Sequence, residues 1–285
     1  SGECNISIRE SISNIGHDYL CQNTDGFIIE ADNIVFDCQD HYIKCTEGCN
    51  TATDTAGIRL KGRQNVTIQN CYVHNFTSGI KLQENSTNNI ITTNYIYNSS
   101  NDGIRLDNST ANNITGNYVD QNLVCGVNVS NMENTVTDTP TFNNIWNNKI
   151  ENSSGGLEAC NDAVSHNYWY LSKNCGTKNI RDGPCLGGNW WSDYSGRDNT
   201  GDALGDTVVP YKGGGILVTG TGTTAGDRNP LVEQDQIPGL ICESTTLSPG
   251  TLNSSSGEGM AVICDNAKLT CNGTSFNGNG SDQTN

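Results

Sequence analysis

A glycine followed by alternating apolar residues recurs as Gly57-Ile-Arg-Leu60, Gly79-Ile-Lys-Leu82, Gly103-Ile-Arg-Leu106 and Gly126-Val-Asn-Val129, in steps of 22, 24 and 23 residues. A period of this length marks a solenoid, because one unit is too small to bury an apolar face alone and must stack on its neighbours. Each unit carries a second short run, as in Asn65-Val-Thr-Ile68, Asn89-Ile-Ile91 and Asn113-Ile-Thr115. A third run follows an asparagine: Asn70-Cys-Tyr-Val73, Asn94-Tyr-Ile96, Asn117-Tyr-Val119 and Asn148-Lys-Ile150. Three period-two strands per turn, with no sustained helical periodicity, predict an all-β chain: a right-handed parallel β-helix with a C-terminal extension.

Alternation points Ile58, Leu60, Val66, Ile68 and Val73 into the helix, each stacked on its equivalent about 4.8 Å away in the next coil. It turns Arg59, Lys81 and Arg105 outward, as a basic stripe facing solvent. Asn70, Asn94, Asn117 and Asn148 are expected to take the left-handed backbone conformation at a corner and to hydrogen-bond along the axis. Beyond Gly126 the period loosens. A loop with Pro140 delays the next strand, Gly156-Leu157 opens a further coil, and strand fragments follow at Ala163–His166 and Asn179-Ile180.

Thirteen cysteines are too many for a reducing compartment and too scattered for paired zinc motifs, so they predict a disulfide framework and export. Their odd number leaves at least one free or shared with another chain. Export is also the context for the N-glycosylation triplets. Candidates begin at Asn65, Asn75, Asn85, Asn98, Asn108, Asn128, Asn152 and Asn253, with further triplets at Asn5, Asn113, Asn272 and Asn279. No apolar run reaches the length of a membrane span. Fifteen Lys and Arg against 31 Asp and Glu give a net charge of −16, which repels phosphate backbones and excludes nucleic acid as a partner.

The coil pattern resembles the parallel β-helix repeat family, which includes secreted archaeal surface proteins, carbohydrate-active enzymes and the periplasmic β-helix protein of nitrous-oxide reductase maturation. The stretch Gly26-Phe-Ile-Ile-Glu-Ala-Asp-Asn-Ile-Val-Phe-Asp-Cys38 is similar to the first full coil of archaeal members. Gly188-Asn-Trp-Trp-Ser-Asp-Tyr194, followed by Gly201-Asp-Ala-Leu-Gly-Asp-Thr207, resembles the segment that closes their helices. The resemblance implies a secreted or cell-surface location. Copper handling, one function within the family, would require clustered His, Met or thiolate, and two Met with four dispersed His speak against it.

The closing segment gathers Asp193, Asp198, Asp202 and Asp206 on a glycine-rich loop, and carboxylates on such a backbone predict a structural calcium site. Trp190, Trp191 and Tyr194 are read as an apolar cap on the helix end rather than a sugar platform. Asn23-Thr-Asp-Gly-Phe27 matches one motif of the polygalacturonases. The accompanying Asp-Asp pair, Gly-His-Gly and Arg-Ile-Lys are missing, so the match reads as coincidence and no catalytic residue is assigned.

Residues 259–276 align without gaps on 26–43, with Gly259 on Gly26, Asp265-Asn266 on Asp32-Asn33 and Cys271 on Cys38. Upstream, Cys242 with Thr246-Leu247 echoes Cys4 with Ile6 and Ile8. The chain therefore divides into a β-helix over 1–185, an aromatic and acidic closing segment over 186–236, and the opening of a second module over 237–285. A lone coil in that last segment would expose unpaired strand edges, which predicts packing on another copy. The leading expectation is a structural subunit of an extracellular layer, sheath or filament, joined head to tail to copies of itself. The alternative is a secreted carbohydrate-binding or carbohydrate-cleaving protein with glycans as partners.

Overall fold

The computed structural model describes residues 4–49, 54–130, 142–151, 155–161, 167–213 and 226–233, with the backbone of six further strands between 239 and 277. Three sheets wrap a common axis. The first stacks β1 (Ile6–Ile8), β3 (Phe27–Ile29), β6 (Ala56–Lys61), β9 (Ser78–Gln83), β12 (Asp102–Asp107), β15 (Cys125–Ser130) and β18 (Leu157–Asn161). The second stacks β4 (Val35–Asp37), β7 (Thr67–Gln69), β10 (Ile90–Thr92), β13 (Asn113–Thr115) and β16 (Asn144–Trp146). The third stacks β2 (Tyr19–Gln22), β5 (Tyr42–Glu47), β8 (Tyr72–His74), β11 (Tyr95–Tyr97), β14 (Tyr118–Asp120), β17 (Lys149–Ile150) and β21 (Trp190–Trp191). All neighbours in these sheets pair in parallel, so the protein is a parallel β-helix.

The register stacks like on like. Ile58, Ile80, Ile104 and Val127 form one inward column, and Ile68, Ile91, Ile114 and Ile145 another; all are fully buried. Full burial of each such side chain contributes about 1.5–3 kcal/mol, which is why the apolar positions must stay in step. The recurring glycine has a steric cause. A Cβ on Gly79 would lie 2.6 Å from the Gly103 carbonyl oxygen and 2.3 Å from Ile96 Cγ2.

The corners depart from expectation by one residue. Asn70 is left-handed (φ 54°), but its stacked equivalents are Thr93 (53°), Gly116 (70°) and Asn147 (55°). Asn94, Asn117 and Asn148 come one step later and turn inward, where they are fully or almost fully buried. Each amide Nδ2 donates to the Oδ1 of the next: Asn94 to Asn117 at 3.0 Å, Asn117 to Asn148 at 2.9 Å, Asn148 to Asn189 at 2.9 Å. A second column runs Asn89, Asn112, Asn143, Asn167 with the same pattern. Parallel coils bring identical amides together once per turn, so donors and acceptors satisfy one another inside the core.

Five disulfides join Cys4–Cys21, Cys38–Cys71, Cys45–Cys49, Cys125–Cys160 and Cys175–Cys185. Cys71 stands one rung before Asn94 and donates its backbone N–H to Asn94 Oδ1, so the Cys38–Cys71 bridge continues the asparagine column covalently. After β18, a hairpin of β19 (Asn174–Cys175) and β20 (Cys185–Leu186) precedes β21. Gly156-Leu157 does lead into a further coil, whereas Asn179-Ile180 lies in a turn that Asn179 closes through its own Oδ1. Pro140 and Ala163–His166 lie outside the described residues. Trp191 is buried against Trp169 and Tyr211 at ring distances of 5.9 and 5.0 Å, and so covers the end of the core.

The C-terminal segment holds two coils rather than a lone one. β22 (Gly239–Ile241), β23 (Thr245–Leu247) and β24 (Gly250–Asn253) pair in parallel with β25 (Met260–Val262), β26 (Leu269–Cys271) and β27 (Thr274–Asn277). β22 pairs with β25 as β1 pairs with β3, so Gly239–Ile241 is the counterpart of Ile6–Ile8, and Thr246-Leu247 belongs to the next sheet.

Candidate functional site: an aromatic face on the third sheet

The third strand of each coil begins, just past the corner, with an outward residue followed by an inward aliphatic one. That outward position is Tyr42, Tyr72, Tyr95, Tyr118, Lys149 and Trp190 on successive rungs. Tyr42, Tyr95 and Tyr118 are about 40% exposed, large values for rings that touch one another. Centroids lie 4.9 Å apart between Tyr42 and Tyr72, 5.6 Å between Tyr72 and Tyr95, and 6.2 Å between Tyr95 and Tyr118, with interplanar angles of 36°, 33° and 28°. Rings this close cannot lie coplanar on the sheet. They overlap like shingles, each offering an edge and a hydroxyl to solvent.

A second outward column runs beside it: Lys44, His74, Tyr97 and Asp120. His74 sits against the rings of Tyr42 and Tyr97. Burial, helped by Lys44, holds its imidazole below the usual range and therefore neutral at pH 7. Burial likewise raises the Tyr95 phenol, keeping the hydroxyl protonated. At the far end two cations, Lys149 Nζ and Arg181 Cζ, each lie over the Trp190 ring at 5.1 Å from its centroid. Those cations are themselves paired, Lys149 with Glu151 at 2.7 Å and Arg181 with Glu233 at 2.5 Å.

The opposite outcome holds on the first sheet, where the expected basic stripe is neutralised. Arg59 donates from Nε and Nη2 to the Asp25 carboxylate at 2.6 and 2.9 Å. Lys81 Nζ donates to Asp54 at 2.8 Å and lies 3.6 Å from Asp107, and Arg105 bridges Asp102 and Asp107. Lys81 faces outward yet its side chain is only 8% exposed, so alternation gave its direction and missed its burial. Asp25, the residue that matched the polygalacturonase motif, is taken up by this ion pair and by the Ala56 N–H.

The four loop aspartates are placed apart in function. Asp198 accepts backbone N–H groups from Thr200, Gly201 and Ala203. Asp202 accepts the Leu204 N–H and pairs with Lys173, while Asp206 accepts the Asn199 N–H. Asp193 takes the Tyr211 hydroxyl, which also lies 3.0 Å from Glu158. Among the described residues no three His, Cys, Asp or Glu side chains converge as a metal ligand set.

The glycosylation candidates fall mostly at corners. Asn65, Asn75, Asn85, Asn98 and Asn108 all have left-handed backbones, and Asn65 and Asn98 donate their amides to Asn33 and Asn75. Asn128 lies on β15 and donates to Asp102. Asn152 lies outside the described residues, and Asn253 is described only as the last backbone position of β24. The triplet spacing has a structural source. In Asn85-Ser-Thr87 and Asn108-Ser-Thr110 the left-handed asparagine is followed by a small serine that turns fully inward.

The tyrosines were not singled out in the sequence, although the signal was there: Tyr72, Tyr95 and Tyr118 recur at intervals of 23 at the first position of the third strand. A model of the family described as "Periplasmic copper-binding protein (NosD)" matches residues 3–196, about two-thirds of the chain. The chain belongs to the NosD family. No curated protein and no solved structure gave a significant match. The family's printed name speaks of copper, and the described residues do not fit it. Ten cysteines are closed into disulfides, His41 bonds Asp18, and His17 and His74 are packed against tyrosine rings. Met132, His166, Cys242 and Cys264 lie outside the described residues, and Met260 and Cys271 are described only in their backbone. The periplasmic label and the disulfides agree with an exported protein, and among the described residues no helix is long and apolar enough to cross a membrane.

Proposed function

We propose that this protein is a secreted or cell-surface glycan-binding β-helix, with the tyrosine face of the third sheet as its binding surface. The observation that carries this reading is the unbroken run of four outward tyrosines on consecutive coils, three of them exposed and Tyr72 partly buried between its neighbours. Tyrosine gives large contact area at low entropic cost, together with a hydroxyl that can donate and accept. A hydroxyl-rich, periodically repeating ligand matches that offer. The test is retention on immobilised polysaccharides, compared with Tyr95→Ala and Tyr118→Ala variants of unchanged melting temperature. Loss of retention in the variants is expected; a native protein that binds no glycan at all refutes the reading.

Head-to-tail assembly is the second reading. It is favoured by the two stacked coils over 239–277, which repeat the three-strand plan of the main helix and present parallel strand edges of the kind that accept another coil. Electron microscopy of the native material should then show filaments that a chain lacking residues 237–285 cannot form. Native protein that stays monomeric at high concentration counts against it.

A further inference from the structure

Resting on the glycan-binding reading above, we infer that the ligand is an uncharged, extended polysaccharide that lies parallel to the helix axis along the Tyr42–Trp190 stripe. Three observations assign this class.

The first is charge. The charged side chains gathered at this face include Lys44, Lys149 and Arg181 against Asp18, Asp120, Glu151 and Glu233, three cations to four carboxylates. Asp18 is already engaged by the Tyr42 N–H and by His41, Lys149 by Glu151, and Arg181 by Glu233. His74 is kept neutral. Among the described residues Lys44 makes no ion pair, but carboxylates outnumber cations here, so the face has no net positive charge with which to grip a carboxylate or sulfate. The chain around it carries −16, so a polyanion would be repelled before it arrived. A neutral polymer meets neither cost.

The second is direction. Along the axis the same residue type repeats at each step from Tyr42 to Tyr118. Across the sheet, by contrast, the neighbouring column changes from lysine to histidine to tyrosine to aspartate. A polymer of one repeating unit finds a repeating partner only along the axis. Coil spacing of about 4.8 Å is close to the length of one pyranose unit in an extended chain, so successive sugars can keep step with successive tyrosines.

The third is extent. Six rungs from Tyr42 to Trp190 span about 24 Å. The stripe is bounded at Trp190, whose ring lies under the Lys149 and Arg181 cations.

The experiment uses the full chain in calorimetric titrations with two ladders of oligosaccharides, one neutral and one of uronic acids, each from two to ten sugars long. Affinity should rise with each added neutral sugar until about six, the number of rungs, and then level off. Neutral binding should change less than about twofold between low and high salt, since no ion pair is formed. Tyr42→Ala should move the plateau to a shorter oligomer while leaving the affinity for trisaccharides unchanged. Uronic acid oligomers bound in preference to neutral ones, or a steep salt dependence, would overturn this inference and leave the glycan-binding reading standing. An affinity that does not grow beyond two sugars would overturn the axial placement. Failure of every oligomer in both ladders would refute the reading itself.

Discussion

Asn117→Ala is the substitution that most directly tests how the coils are held in register. The side chain is fully buried and makes five close contacts. Its Oδ1 accepts the Asn94 backbone N–H and the Asn94 amide, each at 3.0 Å. Its Nδ2 reaches the carbonyl of Ile91 at 2.8 Å, that of Thr115 at 3.1 Å and Asn148 Oδ1 at 2.9 Å. Alanine removes both ends at once. Asn94 retains an amide bond to the Ile68 carbonyl, and Asn148 Oδ1 retains the Asn117 N–H, so those groups keep one partner. The buried Asn94 backbone N–H loses its Asn117 acceptor. One or two orphaned groups at about 1–3 kcal/mol each, plus a cavity of amide size, give a loss of about 4 kcal/mol. The control is Asn113→Ala on the same coil, whose partly buried side chain points outward and accepts the Asn144 amide, and for which less than about 1 kcal/mol is expected. Urea unfolding followed by circular dichroism measures both, with the slope checked for unchanged cooperativity. If Asn117→Ala is no more costly than Asn113→Ala, the inward asparagine columns are not what aligns the coils.

Lys81→Asp should cost about 3–5 kcal/mol, because it removes the cation between Asp54 and Asp107 and adds a third carboxylate at a buried site, whereas exposed Lys61→Asp should stay within about 1 kcal/mol; thermal melts of the two variants decide it. Replacing Cys38 and Cys71 together by serine opens a 33-residue separation and should cost about 3.7 kcal/mol, read as a lower urea midpoint with the later coils still folded. Burial pushes Asp227 up to about 7 from 3.8, and Glu158 up to about 7 from 4.5, with Asp193 adding to the latter shift. Raised folded-state values mean that stability is complete below about pH 4 and falls as pH rises to about 7, by up to about 1.4 kcal/mol per pH unit for each carboxyl. The closing segment should therefore show a hydrogen-exchange protection that declines between pH 5 and 7 and levels off above; protection that rises over this range contradicts the assignment. Asp107 works in the other direction. Although burial opposes it, hydrogen bonds from Arg105 and Ser130 hold its carboxyl below the usual range, so its contribution disappears only on acidification.

Much of the coil was legible because its physics is local. Ile58, Leu60, Val66, Ile68 and Val73 could be assigned inward from alternation alone, since a strand's side chains must point to opposite faces. The asparagines were legible as a column but were misplaced by one residue. Left-handed geometry and inward ladder positions are adjacent, and Asn70, the only rung with asparagine at the first and cysteine at the second, disguised the frame. Lys81 was assigned the correct face and the wrong environment. A charge on the outer surface of a sheet is buried only if acids from other coils close over it, and Asp54 and Asp107 are 27 and 26 residues away. The aspartates of the closing loop form a pattern in sequence, and only the folded loop shows what each carboxylate binds: backbone N–H groups, a lysine or a tyrosine hydroxyl.

By itself the sequence determined the period, the three strands per turn, the inward columns and the exported, disulfide-bearing character, because each follows from spacing and residue type along the chain. Tertiary structure alone decided which cysteines pair, which charges are neutralised, and that tyrosines 23 residues apart become touching neighbours on one exposed face. Those outcomes depend on distances between coils, and a coil's neighbour lies some 23 residues along the chain but less than 5 Å away in space.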